Sequence, residues 1–239
     1  MNLLLVEATE VIDGTVTLAA NDRRAEHLRS VLRVTAGSSV RAGIVNGPLT
    51  PATVTAMDDA RITLALSDAQ PAPAPLPIDL VLAVPRPKVL SRVIESCASF
   101  SVARIDLTNA WRVDKSYLSS PRLAPAALAE DLRLGAEQGA TTFLPPIEVH
   151  TRLMGLLDAR FPVAMSCRLL AHPDAPPIEA AALSWPLTLA IGPEGGWIQR
   201  ELDTFVERGF QLVSIGAPIL RTADAVAAAL GQLMLLRRR

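Results

Sequence analysis

Two glycine-containing segments in the last third of the chain have the residue types that a ligand loop needs. The first leaves the apolar run LAI and turns at once through Gly192, Pro193, Glu194, Gly195 and Gly196. Three glycines in five residues sacrifice helix and strand propensity, so this segment needs unusual φ angles or a backbone bare enough for a close approach. It is therefore either a tight turn or a ligand loop. The second, IGAPILRTAD, repeats a glycine turn at residues 215–224.

Alternating apolar runs and amphipathic stretches after residue 72 predict the scaffold that positions these loops. They lie at residues 78–84, 89–100, 104–107, 124–138, 163–171, 187–191, 199–208, 212–215 and 223–236. Such alternation predicts a mostly parallel sheet covered on both faces. Ligands bind beyond the carboxyl ends of the strands in these sheets, where both glycine segments lie. Neither segment matches G-x-G-x-x-G or a P-loop, so a standard Rossmann or ATP site is disfavoured.

A different pattern before residue 72 predicts a small β barrel. Short segments rich in Val, Thr and Ile are separated by Asp, Asn, Gly and Pro, at residues 15–19, 39–44, 52–56 and 62–66. Between the first two, residues 23–34 form a predicted helix with Leu28, Val31 and Leu32 on one face. The segment PAPAPLP at residues 71–77 is typical of an extended linker, which places a domain boundary near residue 72.

The composition of the chain argues against several other classes of protein. The chain of 239 residues is 50% hydrophobic and has a formal net charge of −1. That charge argues against a generally cationic nucleic-acid coat and leaves a local basic face open. The apolar runs are too short to span a bilayer, and the N-terminus is acidic where a signal peptide is basic, so we expect a cytoplasmic protein without a membrane partner. Cys97 and Cys167 lack C-x-x-C spacing and the three histidines are scattered, so we expect no metal site.

Motifs along nearly the whole chain resemble those of one family. IGPEGGWIQREL and SIGAPILRTADAVAAAL resemble the two loops of the SPOUT class of knotted methyltransferases. They are more closely similar to the GPEGG loop and the later LG-x-R-I-L-R-T-E-T-A loop of RsmE, the bacterial family of 16S ribosomal RNA uridine-N3 methyltransferases. HLRSVLRV with Gly37, GAEQGATTFLPPIEV and LLAHPDAPP resemble further RsmE motifs in the same order. The chain is therefore identified as a divergent member of that family.

The resemblance implies a fold, a cofactor and partners. It implies a PUA-like β-barrel domain that binds RNA at residues 1–71, and an α/β SPOUT methyltransferase domain at residues 72–239 with a parallel sheet and a C-terminal trefoil knot. It also implies S-adenosyl-L-methionine as the cofactor, 16S ribosomal RNA or the small ribosomal subunit as the partner, and a homodimer. One apolar set in the last helix fits either a dimer interface or an ordinary core: Ala223, Val226, Ala227, Leu230, Leu233 and Met234.

The same resemblance assigns the binding residues. Main-chain groups exposed by small residues hold the cofactor of a knotted site. The predicted cofactor contacts are Gly192, Pro193, Glu194, Gly195, Gly196, Ile215, Gly216, Ile219, Leu220 and Arg221. The predicted RNA contacts in the N-terminal domain are His27, Arg33 and Arg24.

Three residues are predicted to act in catalysis. Methylation of a uracil ring nitrogen requires loss of the N3 proton and stabilisation of charge on the carbonyl oxygens. Arg221 is predicted to donate to a carbonyl oxygen or a phosphate. Glu194 is predicted to orient a loop amide or the ribose of the cofactor. Asp224 is a candidate proton acceptor because it is an acid in the second loop, and release of the proton to water is the alternative.

The chain departs from the family pattern at charged positions. Pro218 stands where the family has arginine, Ala223 and Asp224 replace Glu-Thr, and Thr141 replaces the arginine after the E-Q motif. The cofactor residues are retained, whereas residues that hold RNA or order the active site are altered. Three functions therefore remain open: methylation of the family's uridine, methylation of another RNA site, and non-catalytic binding of RNA or cofactor.

Overall fold

The computed structural model describes residues 1–162 and 167–238, which form two compact units. The first unit consists of residues 1–74 and 133–144, and the second contains residues 75–132 and the chain from residue 145 onward. Within the described ranges, every helix is too short or too polar to cross a bilayer.

The first unit is built mainly from short strands. Its elements are β1 (Leu4–Val6), β2 (Thr15–Ala19), α1 (Arg23–Ser30), β3 (Ser39–Val40), β4 (Ala42–Ile44), β5 (Ala52–Met57) and β6 (Arg61–Leu66). Strands β2, β6, β5 and β3 form an antiparallel sheet in that order, and β1 pairs with β4 in parallel. Alternate strand residues such as Val16 and Leu18 join Leu28 of α1 in one apolar core.

The predicted helix at residues 23–34 is too long. Helix α1 ends at Ser30, and Arg33 then adopts the left-handed region with φ of 50°. Because the chain leaves the helix there, Val31 and Leu32 are 64% and 48% exposed. They do not continue the apolar face begun by Leu28, so the prediction of one three-residue face is wrong.

The predicted strand at residues 39–44 is two strands in two different sheets. β3 pairs with β5, whereas β4 pairs with β1. The break falls at Arg41, whose carbonyl oxygen accepts the Leu4 amide at 2.8 Å. Strand β1 was not predicted, because its apolar run, residues 3–6, is short and lacks the alternation that marks a half-buried strand.

Residues 133–144 belong to the first unit although they come late in the chain. The Glu137 carboxylate accepts hydrogen bonds from both terminal guanidinium nitrogens of Arg23, at 2.8 and 3.1 Å. The Glu137 carbonyl oxygen accepts the amides of Asn2 and Leu3. The side chain of Glu137 is only 1% exposed, so this residue of the E-Q motif fixes the N-terminus and α1 to residues 133–144.

The second unit is a six-stranded parallel sheet with helices. Its elements are β7 (Leu76–Ala83), α2 (Pro87–Ser99), β8 (Val102–Thr108), α3 (Pro125–Gly139, from Arg133 part of the first unit), β9 (Ile147–His150), α4 (Leu153–Arg160), β10 (Cys167–Ala171), β11 (Leu187–Ile191), α5 (Gln199–Glu207), β12 (Gln211–Val213) and α6 (Thr222–Arg237). The strand order is β12-β10-β11-β7-β8-β9, and every pairing is parallel. The predicted parallel sheet is therefore confirmed.

Burial shows that the centre of this sheet is covered on both faces. All five residues of β11 are buried, and successive strand residues point to opposite faces. Helix α6 packs against α2 and β11. Its Val226, Leu230 and Leu233 are fully buried within the chain, so half of the apolar set that fitted either an interface or a core belongs to the core.

The predicted elements of this unit match the structure with three differences. Strand β7 begins at Leu76, so the linker ends earlier than residue 77, and Pro77 lies where the pairing of β7 with β8 is irregular. Strand β9 and helix α4 were not predicted. Residues 163–166 of the predicted strand 163–171 lie outside the described residues, and the remainder forms β10.

Candidate functional site

A cavity of about 380 Å³ lies at the carboxyl edge of the parallel sheet in the second unit. It is lined by loops that follow β8, β10, β11 and β12, and by the first turn of α6. The lining residues are Arg112, Ala171, His172, Pro173, Asp174, Ile191, Gly192, Pro193, Glu194, Gly195, Gly196, Trp197, Ile215, Gly216, Pro218, Ile219, Leu220, Thr222 and Ala225. The two glycine segments thus meet in one cavity, although a helix and a strand separate them in the chain.

The Gly192–Gly196 loop is a tight turn whose glycine main chain is not covered by side chains of its own. Gly196 has φ of +70° and its amide bonds to the Pro193 carbonyl oxygen at 2.8 Å, which closes the turn. A Cβ on Gly192 would lie 2.9 Å from Nε1 of Trp197, and a Cβ on Gly195 would lie 3.2 Å from Cβ and Cδ of Arg112. The positive φ favours glycine at 196, a side chain at 192 would force the Trp197 indole to shift, and a side chain at 195 would press on Arg112.

Trp197 closes one wall of the cavity. Its indole is 6% exposed and makes an edge contact with Phe205, with ring centroids 5.0 Å apart. The indole Nε1 is buried and has no hydrogen-bond partner among the described residues. The close packing of this ring over Gly192 explains why the loop carries glycine at its first position.

Glu194 anchors the loop to the start of helix α2. Its carboxylate is exposed and accepts the main-chain amide of Arg86 at 3.1 Å. Arg86 is the N-cap of α2, where the first amides lack partners within the helix and a negative charge is stabilising. The two predicted roles of Glu194, orienting a loop amide or the ribose of the cofactor, stay predictions.

Arg112 also holds this loop, although it was not predicted as a site residue. Its Nη1 donates to the Gly195 carbonyl oxygen at 2.6 Å. The preceding amide, of Trp111, donates to Glu201 at 2.8 Å, and Glu201 also accepts the amide of Ile198 at 3.0 Å. The available signal was positional, because residues 109–114 follow β8 and therefore lie at the same edge as the glycine loops.

His172 and Asp174 also line the cavity and were not predicted. Nδ1 of His172 accepts the Asp174 amide at 3.3 Å. A neutral imidazole that accepts at Nδ1 carries its proton on Nε2. In this tautomer the Nε2 of His172 can donate a hydrogen bond.

Arg221 and Asp224 lie beside the cavity rather than on its wall. Arg221 is the exposed N-cap of α6, and its guanidinium has no hydrogen bond to any described residue. Asp224 is exposed in the first turn of the same helix. The neighbouring Leu220, Thr222 and Ala225 line the cavity instead. Every other predicted cofactor residue is in the lining.

The predicted RNA contacts of the first unit lie in different environments. Arg24 is 11% exposed, and its guanidinium is bound by Glu10, Asp22 and the Leu5 carbonyl oxygen. His27 is half-buried, and burial lowers the pKa of its imidazole. Arg33 is exposed after the end of α1. Their assignment to RNA stays a prediction, and the contacts of Arg24 already give it a structural role.

We expect the Arg24 pairs to make the stability of the first unit sensitive to acid. Hydrogen bonds from Arg24 lower the pKa of Asp22 below 3.8 and of Glu10 below 4.5. The stabilisation is therefore present above those values and is lost as the pH falls through the lower folded pKa values. Urea unfolding at neutral pH and at about pH 3.5 measures it. The loss on acidification should be smaller in Arg24→Met, and an equal loss in both proteins would contradict this account.

Comparison with known proteins places this site in a family. A family model described as an RNA methyltransferase domain matches residues 72–234, about two thirds of the chain. The chain belongs to this RNA methyltransferase family. The match spans both loops of the cavity and the whole parallel sheet, so the methyltransferase domain coincides with the sheet that positions the site.

Relatives of this methyltransferase cover almost its whole length, which confirms the predicted resemblance to RsmE. Ribosomal RNA small subunit methyltransferase E of Treponema pallidum is 29% identical over 96% of this chain and 89% of that protein. Ribosomal RNA small subunit methyltransferase E 1 of Borreliella burgdorferi is 25% identical over 96% and 95%.

Solved structures share the fold of this methyltransferase. Ribosomal RNA small subunit methyltransferase E from Neisseria gonorrhoeae, bound to S-adenosyl methionine, has a TM-score of 0.80 at 22% identity and covers 99% of this chain and 98% of that one. The putative methyltransferase Lpg2936 from Legionella pneumophila, in complex with the cofactor SAM, has a TM-score of 0.77 at 20% identity over 98% and 97%. These likenesses confirm the SPOUT-type parallel-sheet fold.

Proposed function

We propose that this protein is an S-adenosyl-L-methionine-dependent ribosomal RNA methyltransferase that modifies N3 of a uridine in 16S ribosomal RNA. The observation that carries the proposal is the cavity in which the Gly192–Gly196 loop and the Ile215–Leu220 segment meet. Its volume falls in the usual range for small-molecule sites. The relatives named ribosomal RNA small subunit methyltransferase E support the substrate class.

The cavity has the features that the cofactor requires. Bare main chain at Gly192, Gly195 and Gly196 allows a ligand to approach amides and carbonyl oxygens closely. Ile219 and Leu220 offer apolar surface for the adenine. When bound, S-adenosyl-L-methionine supplies a methyl group on a positively charged sulfur. The S-adenosyl methionine bound in the Neisseria and Legionella structures supports this choice.

The residues beside the cavity have the charges that uridine methylation requires. The free guanidinium of Arg221 would donate to a uracil carbonyl oxygen or a phosphate, which stabilises the negative charge left by the N3 proton. With Nδ1 accepting the Asp174 amide, His172 offers a hydrogen-bond donor at Nε2. Besides Glu194, which accepts the amide of the α2 N-cap, two carboxylates are available as acceptors: Asp174 in the cavity wall and Asp224 in the first turn of α6. Release to water is the alternative.

The remaining features of the family belong to the same proposal. The strands and core of the first unit support a PUA-like barrel at residues 1–71 that binds RNA, followed by the methyltransferase domain at residues 72–239. A trefoil knot is supported by the path of the C-terminal chain, which leaves edge strand β12, lines the cavity beside the β11 loop and returns to β11 as α6. We further propose a homodimer, and a cytoplasmic location, where ribosomal RNA is found.

One observation favours the alternative of a re-targeted or non-catalytic protein. Pro218, which stands where the family has arginine, lines the cavity. A guanidinium at this position would offer donors to an RNA group, and proline offers none. The cofactor side of the site is unaffected by this change.

Two measurements on the unmodified protein test the proposal. Isothermal titration calorimetry with S-adenosyl-L-methionine should show one binding site per chain. Methyl transfer from radiolabelled cofactor to small ribosomal subunits that lack the modification should label 16S RNA at a uridine. Cofactor binding without transfer to any RNA would support the non-catalytic alternative, and absence of both would refute the proposed function.

A further inference from the structure

The two most exposed large apolar side chains in the described part of the chain lie at the same cavity. Ile219 is 86% exposed and lines it, and Trp111 is 79% exposed and precedes Arg112 in its wall. Single exposed aliphatic residues are common on protein surfaces. An indole that is 79% exposed, next to a wall residue of a ligand-sized cavity, indicates an apolar surface that an occupant covers.

The main chain at Trp111 is fixed even though its side chain is exposed. Its amide donates to Glu201 at 2.8 Å, and the next residue donates from Nη1 to the Gly195 carbonyl oxygen at 2.6 Å. Glu201 is itself held by the amide of Ile198. The indole is therefore presented from a rigid position, which reduces the entropy lost when a flat partner stacks on it.

The charges around Trp111 are complementary to a nucleic-acid backbone. Arg86, Lys88 and Lys115 are exposed in segments that follow β7 and β8 at this edge, and none forms an ion pair with a described carboxylate. Lys88 and Lys115 are the only lysines in the chain. Some cations elsewhere in the second unit are paired, namely Arg104 with Asp106, Arg160 with Asp79 and Arg208 with Asp158. Free positive charge in a chain of net charge −1 is thus available beside the cavity.

We propose that Trp111 stacks on a nucleobase of the RNA substrate at the mouth of the cavity, while Arg86, Lys88 and Lys115 contact its phosphates. This inference rests on the proposed function in taking RNA as the substrate. Aromatic side chains in basic surroundings bind single-stranded RNA in this way. A second copy of the chain fits the patch less well, because an isologous contact would place the same free cations opposite one another.

The test measures RNA binding and cofactor binding separately. Fluorescence anisotropy with a fluorescein-labelled single-stranded oligouridylate, at one fixed salt concentration, gives the Kd for RNA. Trp111→Ala should raise this Kd by about 5- to 100-fold, the range found when stacked aromatic residues are replaced by alanine. Trp111→Phe should retain binding to within about threefold because phenylalanine keeps a stacking face. Met154→Ala, which shortens a 48% exposed apolar side chain on α4, is the matched control and should bind like the unmodified protein.

Cofactor titration distinguishes this inference from the proposed function. Trp111→Ala should bind S-adenosyl-L-methionine like the unmodified protein, because the indole is not part of the cavity wall. Oligouridylate binding that is absent in the unmodified protein, or unchanged in Trp111→Ala, would overturn the stacking role and leave the proposed function intact. Weaker RNA binding by Trp111→Ala in a protein that binds no cofactor would keep the stacking role and refute the proposed function. A change from dimer to monomer in sedimentation velocity would identify Trp111 as a contact between copies and overturn the inference.

Discussion

Gly195→Val should abolish measurable binding of S-adenosyl-L-methionine, with a loss of affinity of about 100-fold or more, equivalent to about 2.7 kcal/mol. A Cβ at this position would lie 3.2 Å from two side-chain carbons of Arg112. The branched side chain of valine would push Arg112 away and break its 2.6 Å hydrogen bond to the Gly195 carbonyl oxygen. It would also cover main-chain groups that a ligand in the cavity needs to reach.

Gly155→Val provides the matched control for this substitution. Gly155 lies in α4, and a Cβ added there would meet no atom within 4 Å. Both variants should be checked for folding by thermal unfolding before calorimetry. A folded Gly195→Val protein that binds the cofactor like the unmodified protein would show that the cofactor does not contact the Gly192–Gly196 loop.

Arg221→Ala should reduce the rate of methyl transfer to small ribosomal subunits by about 100- to 1,000-fold, the usual effect of removing one donor to a developing oxyanion. The guanidinium is exposed, has no hydrogen bond to the described residues and lies outside the cavity wall. Cofactor affinity should therefore change little while kcat falls. Arg221→Lys should recover only part of the rate, because lysine keeps the charge without the planar pair of donors.

Arg152→Ala controls for the loss of an exposed arginine at a helix N-cap. Arg152 caps α4 as Arg221 caps α6, and it does not line the cavity. Its removal should leave kcat within about threefold. Methyl transfer by Arg221→Ala at the rate of the unmodified protein would show that Arg221 has no catalytic role. Arg112, which lines the cavity, would then be the next arginine to substitute. A parallel loss of cofactor binding would make Arg221 a cofactor residue instead.

The regular elements of the second unit were predictable because their physical causes are local. Helix α2 has apolar residues at helical spacing that bury Leu90, Val93 and Ile94, and β11 is a short continuous apolar run bounded by turn residues. Such patterns specify helix or strand within a few residues. The strand-helix alternation then requires a parallel sheet, since each crossover helix covers one of its faces.

The failures of prediction in the first unit have tertiary causes. The break at Arg41 arises because β4 leaves the sheet of β3 and pairs with β1, which lies far earlier in the chain. In this parallel pair Leu4 is opposite Ala42. The early end of α1 depends on the left-handed conformation of Arg33, which a non-glycine residue adopts only when its surroundings favour it. The placement of residues 133–144 depends on the burial of Glu137 against Arg23. None of these contacts is visible in local sequence.

Apolar periodicity and glycine content act over a few residues, so they were enough to predict the parallel sheet and the two glycine segments of the candidate site, while the resemblance of the motifs indicated the family. Which side chains share the cavity became clear only from the folded chain. It placed Arg112, Trp197, His172 and Asp174 in the wall and left Arg221 and Asp224 beside it. It also showed that Trp111 is an exposed indole on a fixed main chain. The physical reason is that loops distant in sequence are brought together by strand order, and strand order depends on packing across the whole sheet.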